Sequence, residues 1–211
     1  MVSQMTASSS SLRQKIDCIL DPQSGVGGLY IGSKFDAMDS KKLKDLNITS
    51  VLTVASDLGL VFNPKEFTHK VIPAEDYETF SIIKYFEEAV TFIRENIKTR
   101  NVLVHCHAGM SRSSTMVIAY LMTEKKMELE ESLKYHRSRR SRIAGPNSGF
   151  AKQLQVYEET LKSLRSAKVD DTLAVTQGSK DEDSLKEAIP EKTKLEVVNE
   201  EVIEEKNEDA L

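Results

Sequence analysis

The sequence contains no tryptophan and only two cysteines among its 211 residues. Two cysteines cannot build a disulfide framework, so the fold must depend on an ordinary hydrophobic core. No apolar run approaches the ~20 residues of a membrane-spanning helix, and the N-terminus lacks the apolar segment of a secretory signal. Position 2 is Val2, which excludes an N-myristoyl glycine. These absences favour a protein of the cytoplasm, or also of the nucleus, with no membrane partner.

The net charge of −4 is unevenly distributed along the chain. Residues 166–211 hold six lysines and fourteen acidic residues, which leaves +4 on residues 1–165. A mildly basic body suits an anionic substrate and gives no strong case for nucleic-acid binding. The hydrophobic period fades after residue 166, which predicts a disordered acidic tail over 167–211. The alternative for part of this tail is a transient partner-binding helix whose apolar face is formed by Leu195, Val198 and Val202.

The most informative stretch joins a buried strand to a buried helix. Val102 to His105 form the short apolar run of the strand, and Met116 to Met122 form the apolar run of the helix. Cys106, five intervening residues and Arg112 lie between them. A tight loop that leads into a helix N-terminus collects backbone N–H groups and the positive end of the helix dipole. This stretch therefore predicts an anion-binding site that holds a thiol and a guanidinium.

Each residue type in the loop has a chemical reason. A thiol beside an arginine at a helix N-terminus is stabilised as a thiolate, so Cys106 is a candidate nucleophile. Arg112 can grip two phosphate oxygens with its planar fork of donors. Gly109 permits a turn that a β-carbon would obstruct, and Ser111 and Ser113 add hydroxyl groups. The loop can hold a phosphate ester against a sulfur nucleophile without a metal or another cofactor.

The run from His105 to Ser113 resembles the His-Cys-(five residues)-Arg-Ser/Thr signature of cysteine-based protein phosphatases. It is most similar to the dual-specificity branch, which includes the MAP kinase phosphatases. The resemblance covers residues 25–165 and implies a protein tyrosine phosphatase-like fold. It also implies hydrolysis of phosphotyrosine and phosphoserine/threonine on proteins through a phosphocysteine intermediate. The substrate-binding residues that it implies are His107, Ala108, Gly109, Met110, Ser111 and Ser113, of which Ser113 also assists departure of the sulfur.

The leaving oxygen needs a proton donor, and the candidates lie on the segment 73–78, between a predicted strand and the predicted helix 82–97. Asp76 is the candidate, because the family's general acid precedes a phenylalanine of the next helix by ten residues, as Asp76 precedes Phe86. Glu75 is the rival, and both residues are alternatively solvated loop acids. The sequence therefore favours a catalytic set of Cys106, Arg112 and Asp76.

Two further residues are expected to support the loop. The resemblance implies that His105 bonds to backbone groups near Cys106 and that Asn147 braces the phosphate loop. Asn147 is also a good helix cap, and the two roles are compatible. The triplet His105-Cys106-His107 does not predict a metal site, because adjacent side chains at a strand end point in different directions.

A run of arginines precedes Asn147, and the family brings this segment near the mouth of the pocket. We therefore hypothesise that the run favours substrates with two nearby phosphates, although a solvated basic face is an equal alternative. Which arginine would bind is open, since Ser141 and Arg142 stand where Arg and Pro are commoner in the family. The arginines concerned are Arg137, Arg139, Arg140 and Arg142.

Strands alternate with helices along the body of the chain, which predicts a single α/β domain with a central, mainly parallel sheet flanked by helices. In such sheets the ligand lies at the carboxyl ends of the strands, where Cys106 falls. The catalytic domain is expected over 21–166, after a mobile arm over 1–20 in which Leu12 to Leu20 form either a short helix or a frayed segment. The predicted strands are 29–31, 48–55, 67–72 and 102–105, and the predicted helices are 39–47, 82–97, 116–122, 128–136 and 150–164.

Two other functions are alternatives to a protein phosphatase. A phosphoinositide phosphatase is disfavoured because Ala108 and Met110 occupy loop positions where such enzymes carry lysines. A catalytically dead phosphoprotein-binding module is disfavoured because the nucleophile, the arginine and the acid are all present. A phosphorylated MAP kinase is the expected substrate by family analogy alone.

Overall fold

A computed structural model describes residues 15–141 and 143–177 of the chain. Five strands form one sheet in the order β1-β2-β5-β3-β4. β1 pairs with β2 antiparallel, and the other neighbouring strands are parallel. The mainly parallel α/β sheet expected from the sequence is therefore confirmed. The strands are β1 (Asp17–Leu20), β2 (Leu29–Gly32), β3 (Ile48–Val54), β4 (Thr68–Ile72) and β5 (Asn101–His105).

Helices cover both faces of the sheet. Alternate residues of β5 belong to two hydrophobic clusters: Val102 and Val104 pack in the larger cluster with α3, α4 and α6, while Leu103 packs in the smaller one with α2. This alternation follows from the period of two along a strand, and burial on both faces explains the continuous apolar run. The helices are α1 (Lys34–Met38), α2 (Ser40–Asp45), α3 (Phe86–Ile97), α4 (Arg112–Glu124), α5 (Leu129–Arg139) and α6 (Ser148–Gln177).

The N-terminal segment differs from the sequence prediction. Residues 17–20 form the edge strand β1 and are neither a helix nor part of a frayed arm. Ile19 is fully buried in the larger cluster, and the buried Asp17 pairs with Arg140. Asp17 and Ile19 are the buried positions of β1, but a charged residue at a buried position does not predict a strand. The burial of Asp17 depends on Arg140, which lies more than a hundred residues away in the sequence. Residues 1–14 of the predicted arm lie outside the described part of the chain.

The C-terminal helix is longer than predicted. α6 continues to Gln177, so the expected tail boundary at 167 is wrong for residues 167–177. The chain divides into two units: the first ends at Lys162, and the second begins at Ser163. The remainder of the predicted tail, including the alternative helix around 195–202, lies outside the described residues. Among the described helices none is long and apolar enough to cross a membrane.

Candidate active site

The loop 106–111 connects β5 to α4 at the carboxyl end of the central strand. Cys106 is fully buried at the start of this loop. Its Sγ lies 3.3 Å from Oγ of Ser113, which stands in the first turn of α4. The helix N-terminus therefore faces the loop that carries the thiol, as an anion site requires.

Arg112 is the first residue of α4 and its side chain is buried. Its Nη1 donates to the carbonyl oxygen of Ala74 at 3.1 Å. Its Nε lies 3.4 Å from Oδ2 of Asp76. The structure thus places the guanidinium beside the carboxylate of Asp76, on the helix whose first turn contacts the Cys106 sulfur.

Asn147 connects Asp76 to the loop. Its Nδ2 donates to Oδ1 of Asp76 at 3.1 Å, and its backbone N–H donates to Oγ of Ser111 at 3.3 Å. Its Oδ1 accepts from the N–H of Phe150 at 2.9 Å, so it also caps α6. One residue, through its side chain and its backbone, therefore connects the segment that carries Asp76, the loop and a helix.

The rival acid, Glu75, has a different environment. Its Oε1 accepts a hydrogen bond from the hydroxyl of Ser56, on the connection after β3. Asp76 is the neighbour that contacts Arg112 and Asn147. The geometry therefore favours Asp76 over Glu75 as the proton donor.

Two residues of α6 that contact the connection between β4 and α3, which carries Asp76, were not predicted from the sequence. The Oε1 atom of Gln153 accepts from the N–H of Ile82 at 2.8 Å, and its Nε2 donates to the carbonyl of Phe80 at 2.8 Å. A β-carbon at Gly149 would collide with the carbonyl of Glu78, so only glycine permits this approach. The first turns of α6 thus pack against the segment that carries Asp76. No local sequence pattern predicts such a long-range contact.

Gly109 gives the loop its turn. Its φ of 70° lies in the left-handed region, and a β-carbon there would collide with the carbonyl of Gly32. The sequence prediction that this position requires glycine therefore has two independent physical reasons, backbone conformation and close approach.

We expect Gly109→Ala to lower the free energy of unfolding by about 2–4 kcal/mol, because strain at positive φ adds to a backbone collision. Gly25 is a matched control, since its φ is 78° but no atom lies within 4 Å of its β-carbon position. Gly25→Ala should cost only the conformational part, about 1 kcal/mol. Urea unfolding of both variants measures the difference. Equal destabilisation of the two would contradict the close approach at Gly109.

His105 supports the loop from inside the sheet. It is fully buried, and its Nε2 lies 2.8 Å from Oγ1 of Thr53, which is also 2.8 Å from Nε2 of His69. Its Nδ1 lies 3.3 Å from the carbonyl oxygen of Cys106. Burial lowers the pKa of His105 to about 4, so the ring is neutral at physiological pH.

The buried histidines give the fold an acid sensitivity. Burial lowers the pKa of both His105 and His136 from 6.5 to about 4. Between these pH values the unfolded chain binds protons that the folded chain excludes, so the free energy of unfolding falls as the pH drops below 6.5. By pH 5 each histidine should cost about 2 kcal/mol. We therefore expect His136→Gln to shrink the stability difference between pH 7 and pH 5 by about that amount in urea unfolding. A difference as large as that of the wild type would exclude this role.

The remaining loop residues are at least partly exposed. Ala108 and Met110 flank Gly109, and both are exposed. His107 is half exposed, and its Nε2 lies 3.2 Å from Nζ of Lys34. Among the described residues no group of three or more His, Cys, Asp or Glu side chains is arranged to hold a metal ion.

The arginines of the run differ in burial and in their partners. Arg140 is buried and pairs with Asp17, which removes it as an exposed contact for a second phosphate. Arg139 pairs with Asp21 at 2.6 Å on the surface. Arg142 lies outside the described residues. The hypothesis of a basic patch at the pocket mouth is therefore wrong for Arg140.

Known proteins are similar to this chain in sequence and in fold. The family model described as "Dual specificity phosphatase, catalytic domain" matches residues 29–160. "Dual specificity protein phosphatase 1" of Arabidopsis thaliana is 43% identical over 136 residues, which cover 64% of this chain and 68% of that protein. "MAP kinase phosphatase with leucine-rich repeats protein 1" of Dictyostelium discoideum is 39% identical over 140 residues, or 66% of this chain and 16% of that protein. A crystal structure of DUSP15 superposes with a TM-score of 0.61 at 32% identity, covering 69% of this chain and 92% of that one.

Proposed function

This chain belongs to the dual specificity phosphatases, enzymes that hydrolyse phosphotyrosine and phosphoserine/threonine on proteins, and we propose that Cys106, Arg112 and Asp76 are its catalytic residues. The observation that carries this proposal is the contact of Asp76 with Arg112, the first residue of α4, while Ser113 in the first turn of the same helix contacts the Cys106 sulfur. The distance of 3.4 Å between Nε of Arg112 and Oδ2 of Asp76 supports the role of Asp76 as the acid, because Arg112 is the group that would hold the phosphoryl oxygens.

In the first step, the sulfur of Cys106 attacks phosphorus as the ester oxygen leaves. Asp76 gives its proton to that oxygen, so the product departs as a neutral alcohol or phenol. Arg112 and the backbone N–H groups of the loop bind the equatorial oxygens as charge shifts in a loose transition state. The products of this step are the free hydroxyl compound and a phosphocysteine.

In the second step, the carboxylate of Asp76 takes a proton from water, and the water oxygen attacks phosphorus. The bond between sulfur and phosphorus breaks, and inorganic phosphate leaves. The Ser113 hydroxyl lies 3.3 Å from the sulfur, close enough to donate a hydrogen bond to the thiolate as it departs. His105 and Asn147 take no part in bond changes and hold the loop and the acid segment in place.

The finer substrate proposal is a doubly phosphorylated MAP kinase. Its support is the similarity to a Dictyostelium protein that carries MAP kinase phosphatase in its name. The mildly basic charge of residues 1–165 is compatible with a phosphorylated protein surface.

A substrate-trapping experiment tests this proposal. We expect Cys106→Ser protein to bind a doubly phosphorylated MAP kinase activation-loop peptide, and wild-type enzyme to remove phosphate from both its threonine and its tyrosine. The unphosphorylated peptide is the control. Retention of other phosphoproteins but not of this kinase peptide would reject the MAP kinase proposal and leave the phosphatase activity standing.

A further inference from the structure

Arg140 lies behind the phosphate loop and directs its guanidinium at the loop backbone. Its Nη2 donates to the carbonyl oxygen of Gly109. Its Nη1 lies 2.9 Å from Oδ2 of Asp17 and 3.5 Å from the carbonyl oxygen of Ile31. A buried cation therefore joins the loop to the two adjacent strands β1 and β2.

The contact with Gly109 has a consequence for the next residue. The Gly109 carbonyl and the Met110 N–H belong to one planar trans peptide, in which the two groups point in opposite directions. Because Arg140 donates to this carbonyl, the Met110 N–H points away from Arg140. We propose that Arg140 is a positioning residue of the active site, which aims the Met110 N–H at the substrate phosphoryl group.

Two other carbonyls of the loop also accept hydrogen bonds. The His107 carbonyl accepts from the N–H of Lys34 at 3.1 Å, and the Ser111 carbonyl accepts from the N–H of Thr115 at 2.9 Å. At Gly109 the donor is a charged side chain, which also polarises the peptide and strengthens its N–H as a donor. Arg140 thus supplies at the middle of the loop what backbone donors supply on either side.

Asp17 makes this buried cation tolerable. Its carboxylate is buried, pairs with Arg140 and also accepts from the N–H of Ser141 at 3.2 Å. A buried guanidinium without such a partner would be strongly destabilising. Only a planar fork can pair with Asp17 and reach the Gly109 carbonyl at once, so lysine cannot replace Arg140 in both roles.

The test separates positioning from stability. Arg140→Lys and Arg140→Met are compared with Arg94→Met, which removes an arginine–carboxylate pair of 2.7 Å with Glu124 away from the loop. For each variant we measure kcat and KM with p-nitrophenyl phosphate and the midpoint of urea unfolding. The affinity for inorganic phosphate is measured by calorimetry in the Cys106→Ser background.

We expect Arg140→Met to lower kcat/KM by about 10-fold to 100-fold and to weaken phosphate binding, because one oriented donor is lost. Arg140→Lys should recover most of the unfolding midpoint through Asp17 but little of the kcat/KM. Arg94→Met should lower the midpoint and leave kcat/KM within about twofold of the wild type.

The proposal is overturned if Arg140→Lys recovers activity and stability together, or if Arg140→Met keeps wild-type kcat/KM and phosphate affinity. It rests on the proposed function, yet the two can fail separately. Full turnover by Cys106→Ser would reject the catalytic assignment, whereas the phosphate-binding measurement would still report on Arg140. If Arg140→Met does not fold, the comparison of Arg140→Lys with Arg94→Met decides the question.

Discussion

Replacing Cys106 with serine should lower kcat by about 10⁴-fold or more, because an alcohol at this position is a far weaker nucleophile than a thiolate. The oxygen is smaller than sulfur and leaves the loop and Arg112 in place, so binding of inorganic phosphate should persist. Steady-state hydrolysis of p-nitrophenyl phosphate and phosphate calorimetry measure the two effects. The expected pattern is loss of turnover with retention of binding.

The other cysteine provides the control. Cys18 lies on β1, and burial together with its hydrogen bond to Asp21 raises the pKa of its thiol to about 11. It is therefore a neutral thiol under assay conditions and not a nucleophile. Cys18→Ser should leave kcat unchanged. Loss of turnover in Cys18→Ser with retention in Cys106→Ser would contradict the assignment of the nucleophile.

Replacing Asp76 with asparagine should lower kcat for phenyl phosphate by about 10²-fold to 10⁴-fold, the usual contribution of a general acid. The loss should be much smaller for p-nitrophenyl phosphate, whose leaving group departs without a proton. The dependence of kcat on the acidity of the leaving phenol, measured over a series of aryl phosphates, should therefore be steeper in Asp76→Asn than in the wild type.

Glu75→Gln is the matched control for this series. The Glu75 carboxylate accepts a hydrogen bond from Ser56 and belongs to the same segment as Asp76. The substitution therefore perturbs that segment without removing the proposed acid. Its dependence on the leaving group should equal that of the wild type. If the dependence on leaving-group acidity became steeper in Glu75→Gln and stayed equal to the wild type in Asp76→Asn, Glu75 would be the proton donor.

The centre of the fold and the phosphate loop were predictable because their signals are local. The continuous apolar run of β5 and the spacing from Cys106 to Arg112 each lie within a few residues, and each requires one geometry. The stripe of α3 was equally clear: Phe86, Val90, Ile93 and Ile97 are all buried, as their spacing predicts.

The features that were missed depend on contacts between distant parts of the chain. Asp17 interrupts the apolar pattern of β1, and its burial makes sense only once Arg140 is placed beside it. In the sequence, Gln153 is an ordinary polar residue on a helix. In the structure its side-chain amide forms hydrogen bonds with the backbone of Phe80 and Ile82. Such side chain–backbone contacts satisfy buried polar groups at long range and leave no local pattern. The helix α1 was visible in principle, because Ser33 and Asp36 form a capping box.

The most direct test of the account is to look for phosphorus on Cys106 itself. In Ser113→Ala protein the second step should slow, so that a burst of phenol about equal to the enzyme concentration precedes slow turnover. Acid quenching during that phase followed by mass spectrometry should find a phosphoryl group on the peptide that contains Cys106. Turnover without a burst, and with no phosphorylated Cys106 at any time, would contradict a mechanism through a phosphocysteine at this residue.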